Sequence, residues 1–316
     1  MAEWLIEEGI GEHRALLVEN DEVCAAKVYW PGELYAGMVA SAHLTSKNAG
    51  ARRGTAHLHG GTAVLVDQLP RDVTEGAQIT LRIVRAPIAE RGRLKLAQAR
   101  FCTDDAPVSA APLPQGKTVR RFPAGLWEEV WPSAAAGALE FEGGSLLVSP
   151  TPAMTLIDID CSDIKNGNPG AIPAIAKALR WFDIGGNIGV DFPTITEKSE
   201  RKRIDALLDK HLSDWPHERT AMNGFGFVQL VARLEGPSLL QRFATSRTAM
   251  CARMALRRAE QAEGHGVILM TVHPALKSEL KPEWLDELAR RTGKQVRIET
   301  SPSLALEAAQ AQIIGS

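Results

Sequence analysis

The chain reads as an α+β protein of several domains, and three features of the sequence predict that class. Five short strand-like runs follow one another between Leu34 and about Arg100. From Ala138 the texture changes to strands alternating with helices, and a Pro/Ala-rich stretch separates the two regions. The expected organisation is 1–33 for N-terminal strands packing on the later part, 34–101 for a β-barrel and 102–137 for a linker. An α/β domain over 138–240 and a small C-terminal α+β module over 241–316 complete it.

Bulk properties narrow the class further. With 316 residues, 45% hydrophobic, 23% charged and a formal net charge of −2, the chain has an ordinary globular composition, which excludes bulk disorder, collagen and coiled coil. No apolar run approaches the roughly 20 residues that span a bilayer, and the acidic start MAEWLIEEGIGEHRALLVEN lacks a signal peptide's basic flank and apolar block. The expectation is a cytoplasmic protein without a membrane partner. Cys24, Cys102, Cys161 and Cys251 stand far apart, a pattern of reduced thiols rather than a disulfide frame or zinc knuckle. A polyanion could be bound only through a local basic patch.

In chain order, Arg14–Val18 and Glu22–Trp30 read as strands around the turn residues Glu19-Asn20-Asp21. The runs YAGMVASAHL, TAHLHG, AVLVDQL, QITLRIV and LKLAQAR, separated by turn clusters, suggest a small barrel of the OB type, a frequent nucleic-acid platform; any other small β-barrel fits the pattern equally. The linker contains one short helix near Leu126–Val130. SLLVS and AMTLIDI are strands, and Ala171–Trp181 is an amphipathic helix burying Ile172, Ile175, Ala176 and Leu179. NIGVDF is a buried strand. Glu197–Leu212 is a helix with Thr196 as N-cap, and NGFGFVQLVARL is a strand. The tail reads helix (Thr245–Ala262), strand (GVILMTV), helix (Pro282–Arg291), strand (QVRIET) and helix (Ser303–Ala311).

The chemistry concentrates where strands end in carboxylates. In TLIDID, alternation puts Asp158 and Asp160 on one face of the strand, and GVDF ends in Asp191. Neighbouring strands of an open α/β sheet converge their ends where ligands bind. Clustered carboxylates persist around a cation, and oxygen-only ligation suits Mg²⁺ or Mn²⁺ in metal-assisted phosphodiester hydrolysis. The alternative is that Asp160 caps a turn and Asp191 pairs with an arginine.

Three basic groups are candidates for phosphate contact. Arg91, Arg93 and Lys95 fall in a barrel hairpin, and Lys117, Arg120 and Arg121 in the linker. Lys198, Arg201, Lys202 and Arg203 stand where the helix after Asp191 starts. Each group reads equally as a solvated surface. His57 and His59 could be metal ligands, but the barrel surface is the preferred reading.

The stretch GGSLLVSPTPAMTLIDID, then AIPAIAKALRWFDIGGNIGVDFPTIT and GFGFVQLVARLEGPSL, resembles the ribonuclease E/G family over about residues 143–240. The YAG entry and the ERGR loop (Glu90 to Arg93) are in register with that family's RNA-binding barrel. The resemblance implies a DNase I-like catalytic domain and a Mg²⁺-dependent endoribonuclease acting on single-stranded RNA, leaving 5′-phosphate and 3′-hydroxyl ends. It implies that Asp158 and Asp191 hold the metal and that Asp160, where larger members usually carry Asn, assists. It also makes His57 a base-stacking candidate and Arg219 and Arg233 RNA contacts. Two departures shape the expectation. The short 102–137 stretch leaves no room for the segment that senses a 5′-monophosphate. Cys251 alone stands where a C-P-x-C zinc pair is usual, so no zinc and at most a weak homodimer without a zinc link are expected. An RNA-binding factor of the same fold with little catalysis is the alternative, and a small-nucleotide phosphoesterase would leave the barrel unexplained.

Overall fold

The computed structural model of the chain describes residues 1–90, 92–103, 110–161 and 169–315. Strands β1 (Glu3–Gly9), β2 (Glu12–Glu19) and β3 (Glu22–Tyr29) form an antiparallel meander. Asn20 and Asp21 turn the chain between β2 and β3 with φ of 51° and 62°, values that these two types tolerate best among residues other than glycine.

Next come β4 (Val39–Lys47), β5 (Arg53–Leu58), β6 (Ala63–Asp67), β7 (Gln78–Arg85), a hairpin of β8 (Ile88–Glu90) and β9 (Arg93–Lys95), and β10 (Ala97–Cys102). Strands β10, β6, β5, β4 and β7 close into a barrel in that order. The run LKLAQAR, expected as one barrel strand, is divided: Arg93–Lys95 belongs to the hairpin and the barrel strand begins at Ala97. Glu90 draws the hairpin closed by pairing with both Arg93 and Lys95. Leu44, Val64, Val66, Leu81, Ile83 and Ala99 fill the barrel with a core of its own.

The expected linker is more ordered than its composition suggested. Within it β11 (Lys117–Val119) adds to β1 in parallel, and α1 (Leu126–Ala136) runs well beyond the short helix anticipated. Leu126, Trp127, Val130, Trp131 and Ala134 are all buried along α1, and that apolar stripe outweighs the break that Pro132 signals.

The main sheet is built from β12 (Ala138–Phe141), β13 (Gly144–Pro150), β14 (Thr155–Cys161), α2 (Ala171–Trp181), β15 (Gly186–Asp191), α3 (Lys198–His211), β16 (His217–Arg219) and β17 (Phe227–Ala232). Its order is β12-β13-β14-β15-β17-β16, with β14 and β15 parallel and connected through α2. Helix α2 buries the four residues expected of it. It lies between this sheet and β3, where Trp181 Nε1 donates to the Val23 carbonyl at 2.6 Å. Thr196 does not cap α3. Glu197 occupies the N-cap without a side-chain bond, while the Thr196 carbonyl accepts from Arg201 at 2.8 Å. The residue that pins this turn is thus an arginine one turn into the helix.

Helix α4 (Leu239–Glu260) begins earlier than expected, because Ser238 and Gln241 form a reciprocal capping box. A kink at Ser246 marks where apolar periodicity alone had placed the start. Then follow β18 (Val267–Val272), α5 (Pro274–Lys277), α6 (Pro282–Thr292) and β19 (Val296–Thr300). The helix expected over Ser303–Ala311 is instead a 3₁₀ turn at Leu306–Ala308 leading into β20 (Gln310–Ile314), which pairs antiparallel with β18. Local helix propensity yields here to an open sheet edge.

One extended core unites the N-terminal strands, the main sheet and the tail. A buried ion network sits inside it. Glu7 accepts from Arg14 at 3.0 Å, from Arg257 at 2.8 Å and from the Phe122 amide at 3.0 Å. Glu12 accepts from Trp30 Nε1 at 2.8 Å, and Arg257 also reaches Glu128. Arg253 donates to the Gly11 carbonyl and lies between the rings of Trp30 and Trp284, 3.7 and 4.7 Å from their centroids. The barrel joins this body through Ala86 N to the Glu235 carbonyl (2.8 Å) and Arg93 to the Pro152 carbonyl (3.1 Å). Both anchor points lie at the end of the main sheet where β14 and β15 start. Among the described residues no helix is long and apolar enough to cross a membrane.

Candidate active site

Strand β14 alternates cleanly: Thr155, Ile157 and Ile159 are buried, whereas Leu156, Asp158 and Asp160 are exposed. On β15, Ile188 and Val190 are buried beneath the same sheet, and Asp191 is exposed. The parallel register pairs Asp158 with Asp191 and Leu156 with Gly189. Paired residues of adjacent parallel strands project to one face, and the strands lie about 4.8 Å apart. The two carboxylates therefore stand side by side on the face that α2 leaves open, at the far end of the sheet from the barrel anchors. Asp160 follows one pleat further along β14, opposite Ser145 of β13.

Gly189 keeps that face low. A Cβ there would lie 2.5 Å from the Phe227 ring and 3.0 Å from Leu156, so only glycine lets Phe227, the β17 partner of Asp191, lie across the strand. Among the described residues, no cation or turn amide pairs with Asp158, Asp160 or Asp191, so neither the turn cap nor the arginine pair finds its partner there. No group of three or more His, Cys, Asp or Glu side chains among the described residues is close enough to cage an ion. Two adjacent carboxylates on an open face instead suit a hard ion that keeps most of its ligand shell for water and phosphate.

The basic candidates separate into distinct classes. Arg91 lies outside the described residues. Arg93 and Lys95 both pair with Glu90, at 2.5 and 2.6 Å. Burial pushes the Glu90 carboxyl up, but the hydrogen bonds from Lys95 and Arg93 outweigh it and hold the group below its ordinary value. The hairpin's cations thus serve first to fold it and, through Arg93 and Pro152, to seat the barrel. Arg219 is a staple from β16 to α3. It pairs with Asp205 at 2.8 Å and Asp209 at 2.7 Å, and these hydrogen bonds raise its pKa against the opposing effect of burial. Arg233 is exposed beside Glu235 at 3.3 Å. Lys198 opens α3 exposed to solvent, just past the Asp191 strand. In the same cluster Arg201 is committed to the Ile195 and Thr196 carbonyls and Arg203 to Glu200.

On the barrel, His57 lies on β5 with Nδ1 3.2 Å from Thr45 Oγ1. His43 is its direct cross-strand neighbour and contacts the ring of His59 edge-on at 6.0 Å. Leu65, on β6 beside Thr55 of β5, is exposed. Sequence reading passed over His43, although its place two residues past Ser41 in an alternating strand puts it on the outer wall. It also passed over the apolar residues of the open sheet face, where Leu147, Leu156 and Val231 are exposed, and Phe225 in the turn before β17, which is exposed as well. Paired leucines at 146–147 and the Leu156–Ile157 pair were the available signal, since a strand with apolar residues on both faces has two surfaces to cover.

A model of the Ribonuclease E/G family matches residues 138–233. Over this segment the chain is similar to the ribonuclease E/G family. The family segment coincides with the six-stranded sheet from β12 to β17, the part that carries all three aspartates. Among curated relatives, ribonuclease G of Escherichia coli (strain K12) is 34% identical over 99 residues, 28% of this chain and 20% of the relative. Ribonuclease G of Salmonella typhimurium (strain SL1344) matches with the same figures. Ribonuclease E of Buchnera aphidicola subsp. Schizaphis graminum is 40% identical over 76 residues, 21% of this chain and 8% of the relative. The chain thus spans one fifth or less of the length of these family members. The barrel and the C-terminal module lie outside the residues matched by the family model.

Proposed function

We propose that the chain is a metal-dependent endoribonuclease that cuts single-stranded RNA in RNA processing or decay, leaving 5′-phosphate and 3′-hydroxyl ends. The observation that supports this reading best is the Asp158–Asp191 register: two adjacent, exposed carboxylates without a described cation, inside a ribonuclease E/G segment. Asp158 and Asp191 hold Mg²⁺, with Mn²⁺ as a substitute. Bound there, the ion supplies positive charge for the phosphodiester and acidifies water. Water adds to phosphorus in line as the P–O3′ bond breaks, and the departing O3′ takes a proton. Asp160 orients the water and adds negative charge beside the pair.

In this reading the sheet is the core of a DNase I-like domain and the barrel an OB-type RNA clamp. His57 stacks on a base, and Lys198, Arg233 and the hairpin cations line the phosphate path. Cys251 is buried in α4, and burial pushes its thiol up to about 11. That makes it a poor zinc ligand, and we read the protein as a cytoplasmic monomer or weak homodimer without a zinc link. The third charge at Asp160 favours a second reading, an RNA-binding factor of the same fold with little catalysis.

End-labelled single-stranded RNA incubated with Mg²⁺ separates the two. Cleavage to 5′-phosphate products by the wild-type protein, absent with Asp191→Asn, supports the nuclease. Tight RNA binding without products from either protein supports the binding factor, and identical products from both overturn the assignment of the site. In this reading no 5′-end sensor acts, and the protein is expected to cut 5′-triphosphate and 5′-monophosphate RNAs at similar rates.

A further inference from the structure

The turn before β17 presents an aromatic ring to solvent beside the carboxylates. Phe225 is 82% exposed, yet its backbone is firmly held. Asn223 Oδ1 accepts from the Phe225 amide at 2.9 Å and from the Phe227 amide at 3.0 Å. The Gly226 amide donates to the Asn223 carbonyl at 3.2 Å, and the Asn223 amide to the Phe227 carbonyl at 3.0 Å. The carbonyl of Gly226, a residue at φ 88°, accepts from the Phe192 amide at 3.1 Å, and a Cβ on Gly226 would lie 2.5 Å from the Phe192 carbonyl oxygen. The turn is therefore locked against the residue that follows Asp191, and Phe227 is the cross-strand partner of Asp191 itself.

A fixed backbone carrying an uncovered ring, with open space around Gly224, is poorly suited to core packing. It is well suited to a flat apolar ligand, because the backbone that carries the ring has little further freedom to lose on binding. A single strand whose phosphate reaches Asp158 and Asp191 must place its neighbouring bases near this turn, and bases stack on aromatic rings whatever their sequence.

We infer that Phe225 is a substrate-positioning residue on which a nucleobase next to the scissile phosphate stacks. The inference rests on the RNA-cleaving reading of Asp158 and Asp191, and the occupant is single-stranded RNA. The ring contributes affinity and register, while the carboxylates carry the reaction, so its loss should act mainly on KM.

The test uses short RNAs with 2-aminopurine at successive positions, bound to the full chain in EDTA. Quenching at one position with wild-type protein and with Phe225→Trp, lost with Phe225→Ala, is the expected result. In Mg²⁺, Phe225→Ala should raise KM roughly tenfold, the scale of one lost base–aromatic stack, with kcat changed less than about twofold and the thermal midpoint unchanged. Quenching that survives Phe225→Ala, or no quenched position in the wild type, overturns the inference. So does an unchanged KM, or a loss of self-association by Phe225→Ala with RNA binding intact, which would make the ring a contact between two copies. Wild-type cleavage by Asp191→Asn would instead defeat the catalytic reading and leave the quenching result to be judged on its own.

Discussion

Two groups of carboxylates in this chain have opposite surroundings. Glu7 and Glu12 are buried around Arg14 and Arg257, with the Trp30 and Phe122 N–H groups satisfying further lone pairs. Asp158, Asp160 and Asp191 face solvent on the open face of the main sheet's two central strands without a described cation. Charge taken out of water must be compensated within the fold, and the first group is. Charge left in water can await a partner from outside, and the second group is placed to do so. The contrast separates acids that build the molecule from acids available to chemistry.

The strongest way to break that comparison is at Asp191. Asp191→Asn is expected to lower the cleavage rate roughly a thousandfold, the equivalent of the several kcal/mol a bound ion contributes, with urea unfolding unchanged. A rate within tenfold of wild type would show that the pair is not the metal site. The opposite behaviour is expected at Arg257. Arg257→Met leaves the buried Glu7 short of a partner in the core and should cost about 3 kcal/mol of stability. RNA affinity per folded molecule should hold, which parallel denaturation and binding curves would check.

A smaller effect separates two basic residues near the site. Arg219→Ala removes a partly buried staple between β16 and α3, and should lower stability by about 1 kcal/mol without altering RNA affinity. Lys198→Ala should do the reverse, weakening binding a few-fold and flattening its logarithmic salt dependence by about 0.7. The smallest effect is acid sensitivity at the hairpin. The folded Glu90 carboxyl lies below its ordinary value of 4.5. Its stabilising contribution is therefore complete above pH 4.5 and fades as pH falls through the folded value. The stability difference between wild type and Glu90→Gln, followed by urea titration, should shrink below that pH.

Much of this was legible in the sequence where a local rule and the tertiary context agree. Four of the barrel strands, α2 and the separate strands β14 and β15 follow from periodicity, and alternation alone set Asp158 and Asp160 on one face. Their adjacency to Asp191 depends on a parallel register that no local pattern encodes. Propensity failed at Ser303–Ala311, where the edge of β18 recruits β20, and in the linker, where Trp127 and Trp131 bury a helix that Pro132 argued against. The candidate cations show the same limit. Arg219, Arg93 and Lys198 look alike as letters, and only the positions of Asp205, Asp209 and Glu90 reveal that two of them are already engaged. Phe225 was hidden for the opposite reason, since an apolar letter in a strand-like run reads as core.

The ion network and the stacked Arg253 also govern the timing of assembly. Arg253 and Arg257 reach back 242 and 250 residues to Gly11 and Glu7. A ribosome delivers the first meander long before the helix that completes it, whereas the barrel, with its separate core and near-neighbour strands, can close as soon as it emerges. Synthesis should thus leave a finished barrel tethered to an unfinished body, whose closure waits for a helix that follows the first meander by more than two hundred residues.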